Sequence, residues 1–191
     1  MTEAKERRPS RWVSVSSSSL LLTLLCLSQP LEAKKVDLEA MLRSGYGDSV
    51  RIERKSLLLT KAEAADVQKA ARMRLSSRIV RLYLVKRDNK TLRCGVVLSR
   101  KVRTKKAAVL YLITPEGRID RIEILAFAEP PEFKPSGRWL ALFDGKSLAE
   151  PLRSGEDIPA ISGATLSARN VADGARLALA IVQRLGLCAS R

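Results

Sequence analysis

The run Asp157-Ile158-Pro159-Ala160-Ile161-Ser162-Gly163-Ala164-Thr165-Leu166-Ser167 gathers small and hydroxyl-bearing residues just before a helical repeat. Beyond it, Val171, Ala175, Ala178, Val182 and Leu185 recur at alternating spacings of four and three. That is the period of an amphipathic helix with one apolar face. Ser, Thr and Asp start helices because their oxygens accept hydrogen bonds from the first free N–H groups. The same N–H groups, together with the helix dipole, attract a phosphate. Gly163 and Ala164 carry almost no side chain, so a bulky partner can come close to the backbone of Thr165. Two readings stand side by side. Either Thr165 or Ser167 simply caps the helix, or the segment cradles a phosphoryl group.

Other chemistry is sparse. The chain has no histidine. This excludes Ser-His-Asp and Cys-His nucleophile systems, histidine zinc sites and Cys-x-x-Cys-His haem attachment. Its three cysteines are single and dispersed, so no cysteine metal cluster is visible. Glu129 and Glu132 flank two prolines, which marks a rigid loop more than an acid/base pair. No catalytic residue and no metal ligand is assigned. Any chemistry comes most naturally from a bound cofactor that the protein positions and tunes.

Ser162-Gly163-Ala164-Thr165 resembles the attachment motif of the FMN-binding domain family. That family includes the flavin-carrying subunits of the sodium-pumping NADH:quinone oxidoreductase and of the related Rnf complex. The similarity extends upstream through Thr104-Lys105, Pro115-Glu116-Gly117-Arg118-Ile119, Glu129-Pro130-Pro131-Glu132-Phe133, Arg138-Trp139-Leu140 and Phe143-Asp144-Gly145-Lys146. It covers about Leu57 to Leu185. In the family, a flavin transferase joins the FMN phosphate to the motif threonine as a phosphoester. The resemblance therefore implies Thr165 as acceptor, with Ser162, Gly163, Ala164, Leu166 and Ser167 as the phosphate cradle. It implies Glu129, in a Glu-x-Pro loop, and Lys105 on the ring or ribityl side. One position departs: the family usually has an aspartate three residues before the motif serine, and here Pro159 stands there, with Asp157 displaced nearby. The implied protein is an electron-transfer carrier rather than a stand-alone catalyst, with redox proteins and a flavin transferase as partners.

The elements that must position this motif read as α+β, a small antiparallel sheet flanked by helices. Thr60-Lys61-Ala62-Glu63 is a capping box, and an Ala-rich helix follows to about Met73. Ile79 to Val85 reads as a strand, Asp88-Asn89-Lys90 as a turn, and Thr91 to Ser99 as the returning strand. Ala107 to Thr114 is a third strand, Pro115-Glu116-Gly117 a turn, and Arg118 to Phe127 a fourth. Such short turns imply antiparallel hairpins. The loop from Ala128 to Gly137 is rich in Pro and Gly and cannot be regular. A short helix around Trp139 to Phe143 precedes a polar linker and the motif. Gly186 ends the final helix. Aromatics make up only 4% of the 191 residues, so Phe133, Trp139 and Phe143 stand out as a local cluster. They read as packing of the short helix against the sheet rather than as a flavin-stacking site.

Residues 1–33 read as a signal peptide, with an uncleaved N-terminal anchor as the runner-up. Residues 34–56 read as a lead-in, and 57–191 as the FMN-binding domain. Lys5, Arg7, Arg8 and Arg11 make a basic start, an apolar block runs from Leu20 to Leu27, and Ala33 offers a small residue at the cleavage position. The block is shorter than the roughly 20 apolar residues of a membrane span. Cleavage would take the net charge from +15 to +14, because four cations and three anions are lost. An excess of this size suits an acidic partner or an anionic membrane surface. The run Arg100-Lys101-Val102-Arg103-Thr104-Lys105-Lys106 is the densest candidate contact. No nucleic-acid partner is expected for a protein exported to the periplasm, or bound to the outer side of the inner membrane. Cys94 and Cys188 could pair in an oxidising compartment, or be two small buried residues. The rival reading is a non-redox exported basic module that binds a protein or an anionic membrane surface. The mature chain is predicted to begin near Lys34. N-terminal sequencing that finds residues before Leu20 intact in membrane fractions would establish the anchor instead.

Overall fold

Short runs rich in apolar and β-branched residues, bounded by turn residues, form strands between positions 79 and 127. The computed structural model describes residues 37–188. The signal-like segment, Cys26, Ala33 and Lys34 lie outside the described residues. In chain order the elements are α1 (Leu38–Tyr46), β1 (Arg51–Leu58), α2 (Lys61–Ala71), β2 (Ile79–Arg87), β3 (Lys90–Lys101), β4 (Lys106–Ile113), β5 (Ile119–Phe127), α3 (Gly137–Leu140) and α4 (Thr165–Arg184). The five strands form one antiparallel sheet in sequential order. Asp88 and Asn89 join β2 to β3 with φ of 48° and 61°. A two-residue hairpin needs positive φ at both positions, and Asp and Asn tolerate it better than most residues.

Both faces of the sheet are covered, at least in part. Val80, Leu82 and Leu84 of β2, Cys94 and Val96 of β3, and Val109, Tyr111 and Ile113 of β4 pack under α2 and α4. Val85, Leu110 and Leu112 form the core of the opposite face with Leu38 and Leu42 of α1. The Thr60 capping box is formed in full, with Glu63 Oε2 accepting from the Thr60 N–H at 2.8 Å. This helix stops at Ala71, short of Met73, because Arg72 turns left-handed at φ 53° and the Met73 N–H closes back on the Gln68 carbonyl. The predicted apolar stripe of α4 is buried at Val171, Ala175, Ala178 and Val182. Leu185 caps the helix, and Gly186 follows with φ 59°.

α4 lies close on the sheet because its inner face is made of small residues, Ala168, Ala172, Ala175 and Ala178. The closest approach is at Gly174. A Cβ there would sit 2.0 Å from the hydroxyl oxygen of Tyr111. That hydroxyl donates to the Val171 carbonyl at 3.2 Å, and burial pushes the phenol pKa upward. Arg176, also buried, donates from Nε to the Ala71 carbonyl at 3.0 Å and from Nη1 to the Pro151 carbonyl. It thereby joins α2, α4 and the loop before the motif.

Cys94 and Cys188 form a disulfide, with Cα atoms 5.7 Å apart. It fastens the turn after α4 to β3 across a sequence separation of 94. In a chain-entropy model, closing a loop of that length stabilises the fold by roughly 4–5 kcal/mol. The stretch read as a lead-in holds α1 and all but the last two residues of β1, Leu57 and Leu58. β1 pairs with β2 along its whole length, from Arg51 opposite Lys86 to Leu58 opposite Ile79. Among the described residues, no helix is long and apolar enough to cross a membrane.

Gly174→Ala is expected to destabilise the protein. Helix propensity alone favours alanine by about 1 kcal/mol. Overpacking a filled interior costs about 1–3 kcal/mol, and a 2.0 Å contact belongs at the upper end. Urea denaturation should show a net loss of about 2 kcal/mol. A variant as stable as wild type would show that Tyr111 yields.

Candidate functional site

The start of α4 has no side-chain cap. Its N-cap is Ala164, with φ −123° and ψ 31°, so neither Thr165 nor Ser167 acts as the cap that one sequence reading proposed. Gly163 precedes it at φ 77°, a conformation glycine adopts without strain, and a Cβ there would meet nothing within 4 Å. Thr165 is the first helical residue and is exposed. Its hydroxyl donates to the Ile161 carbonyl at a long 3.4 Å. The N–H groups of Thr165, Leu166 and Ser167 have no acceptor among the described residues. Ser167 is buried, and Leu166 is 48% exposed.

The loop that delivers this helix start is pinned at two places. The Trp139 indole N–H donates to the Pro159 carbonyl at 2.8 Å. Asp157 accepts from the backbone N–H groups of Leu152 at 3.0 Å and Arg153 at 2.7 Å, with Lys146 Nζ at 3.8 Å. The Asp157 carboxylate thus shapes the loop. Trp139 and Phe143 are buried edge-to-face, with ring centroids 5.3 Å apart, as ordinary packing.

The facing wall is the turn between β3 and β4, and Glu129 builds it. Oε1 of this buried carboxylate accepts from the N–H groups of Arg103 at 3.1 Å, Thr104 at 2.6 Å and Lys105 at 2.7 Å. Oε2 accepts from the Thr104 hydroxyl at 3.2 Å. Donation from the Lys105 N–H above all, helped by those of Thr104 and Arg103 and opposed by burial, holds the Glu129 pKa below the usual carboxylate range. Beyond it, the 3-10 turn Pro131–Phe133 presents the Phe133 ring, and the Arg103 guanidinium lies 5.8 Å from that ring's centroid.

These walls enclose a cleft of about 350 Å³, lined by Arg103, Glu129 and Phe133 on one side and by Gly163, Ala164, Thr165, Leu166 and Ser167 on the other. The structure therefore brings six of the eight sequence-predicted site residues together. Ser162 is exposed on the approach to α4 and Lys105 is exposed on the hairpin, and neither lines the cleft. Lys105 contributes its backbone N–H to Glu129. Sequence reasoning did not place Arg103 or Phe133 in the site. The basic run and the aromatic cluster were both visible, but which cation and which ring turn inward depends on the geometry of the hairpin and of the Pro131–Phe133 turn. Free N–H groups, an open glycine and a cation suit a phosphoryl group. Phe133 and Leu166 offer apolar surface to a flat ring. Among the described residues, no group of acidic, Cys or His side chains could hold a metal ion.

Residues 105–180 match the family model of the FMN-binding domain. The match agrees with the family that the sequence resembles and implies FMN as the cofactor. It spans β4 to most of α4 and contains every cleft residue except Arg103. No curated protein matches the chain.

The hairpin binds the ionised form of Glu129. Its contribution is therefore complete above the ordinary carboxylate pKa of 4.5 and fades as the pH falls through the lowered value. The amide proton resonances of Arg103, Thr104 and Lys105 are expected to shift together, with one midpoint below 4.5. A midpoint at or above that value would contradict the role given to Glu129.

Proposed function

We propose that the FMN-binding domain at residues 105–180 makes this chain an exported electron carrier, with the flavin phosphate joined to Thr165. The observation that carries the reading is the uncapped start of α4 in a cleft, inside the matched segment, with an exposed Thr165 hydroxyl at its first position. A separate flavin transferase would form the phosphoester at Oγ1 from an activated flavin nucleotide: a phosphoanhydride bond to the FMN phosphate would break, its other half would leave, and the Thr165 hydroxyl proton would pass to the transferase. The N–H groups of the first helical turn and the Ser167 side chain would hold the phosphoryl oxygens, and Gly163 leaves them room. Phe133 and Leu166 would shield the ring from water. When bound, FMN supplies one- and two-electron exchange, so the protein needs no acid, base or nucleophile of its own.

The disulfide between Cys94 and Cys188 supports export, because such bonds persist in oxidising compartments. The basic start and apolar block of residues 1–33 point the same way. Lys101, Lys105 and Lys106 are exposed on the hairpin that forms one wall of the cleft. They suit an acidic redox protein arriving at that wall, or an anionic membrane surface.

Protein made in an export-competent host with a flavin transferase should be yellow, absorbing at about 450 nm as free flavins do. The flavin should travel with the chain as a fluorescent band on a denaturing gel. Thr165→Ala should remove that band while changing stability by no more than about 0.5 kcal/mol, since the residue is exposed and caps nothing. Pro159→Asp should raise the attached fraction if Pro159 hinders the transferase. Yellow protein that releases all its flavin on denaturation would leave binding without the bond. Colourless protein that cannot take up FMN would leave the basic binding module as the better reading.

A further inference from the structure

We infer that Arg103 is the charge partner of the flavin's phosphate and gives the cleft its preference for FMN over the unphosphorylated flavin; this rests on the cleft being the FMN site. Arg103 lines the same cleft as Thr165 and Ser167 but lies outside the matched family segment. It is positioned twice. Its backbone N–H is fixed on Glu129 at 3.1 Å, and its guanidinium is held 5.8 Å from the centre of the Phe133 ring. Cation–π contact restrains the side chain without neutralising it.

Among the described residues, no carboxylate lies within ion-pair distance of Arg103. Among the described residues, Glu129 is the one carboxylate lining the cleft, and its oxygens are engaged by three backbone N–H groups and the Thr104 hydroxyl. A cation with no acidic partner therefore shares a small cleft with an uncapped helix start, where the helix dipole places partial positive charge. Both attract an anion. A phosphate monoester or diester has the oxygens to answer both, and a guanidinium can engage two of them at once. The neutral isoalloxazine ring offers no comparable charge.

The test uses the full chain from a host without a flavin transferase, titrated with FMN and with riboflavin while flavin fluorescence is followed. Wild type should bind FMN about tenfold or more tightly, the range expected of a charge-assisted hydrogen bond. Arg103→Gln should lose most of that preference by weakening FMN alone, with riboflavin affinity unchanged. Arg103→Lys should keep part of it, since the charge remains but the fork is lost. Lys106→Gln removes the same charge from an exposed hairpin position outside the cleft and should keep the preference. An Arg103→Gln variant that keeps the preference, or weakens both flavins equally, overturns the assignment. So does a wild-type chain that binds both alike or neither. Whether the cleft carries flavin at all is decided separately, by the colour of wild-type protein from a host with the transferase.

Discussion

The site depends on how closely α4 can lie against the sheet. A helix with ordinary side chains on its inner face would stand further off. The alanines of α4 and the bare backbone of Gly174 under Tyr111 remove that spacing. Contacts between the first half of the helix and the end of β3 then fix its position. Asn170 Nδ2 donates to the Lys101 carbonyl at 2.8 Å, and Arg100 reaches the Asn170 carbonyl and Asp173, each at 3.4 Å. Lys101 leads directly into the hairpin that Glu129 organises. The helix start and the hairpin are therefore two ends of one tied unit, and the cleft is the space between them.

Residues that build the cleft are largely separate from those that would touch a cofactor. Glu129, Asp157 and Trp139 engage their polar groups with backbone atoms of loops, and Arg176 with the Pro151 carbonyl of a loop and the last carbonyl of α2. Such side-chain-to-backbone bonds fix irregular segments that no helix or strand ladder can hold. Thr165, Ser167 and Arg103 are left with groups free to act, because the builders have satisfied the loops around them. A carboxylate at the site would ordinarily be read as an acid or base. Here three N–H donors keep Glu129 ionised and occupied, and its effect on a ligand runs through the hairpin it shapes.

Much of this was legible in the residues. Apolar, β-branched runs set off by short turns found β2 to β5, the Thr60–Glu63 box started α2, Asp88-Asn89 marked a tight turn, and the four-and-three spacing found α4. β1 escaped notice because Arg51–Leu58 is an edge strand with four charged residues, and only its pairing with β2 shows it as a strand. The motif at 162–165 identified one wall of the cleft. The other wall could not be assigned, since neighbouring cations on a hairpin differ only in which way the turn points them. Pro159 looked like a missing carboxylate. In the fold, its carbonyl receives the Trp139 indole N–H, so backbone at that position anchors the loop.

The claim that a flavin is held at the start of α4 is tested most directly on a single peptide. Trypsin should release residues 154–169, which contain Thr165 and no internal Lys or Arg. From protein made in an export-competent host with a flavin transferase, this peptide should carry the added mass of FMN less one water, with fragment ions placing it on Thr165. The peptide at its unmodified mass, from protein that also releases no flavin on denaturation, would contradict the account.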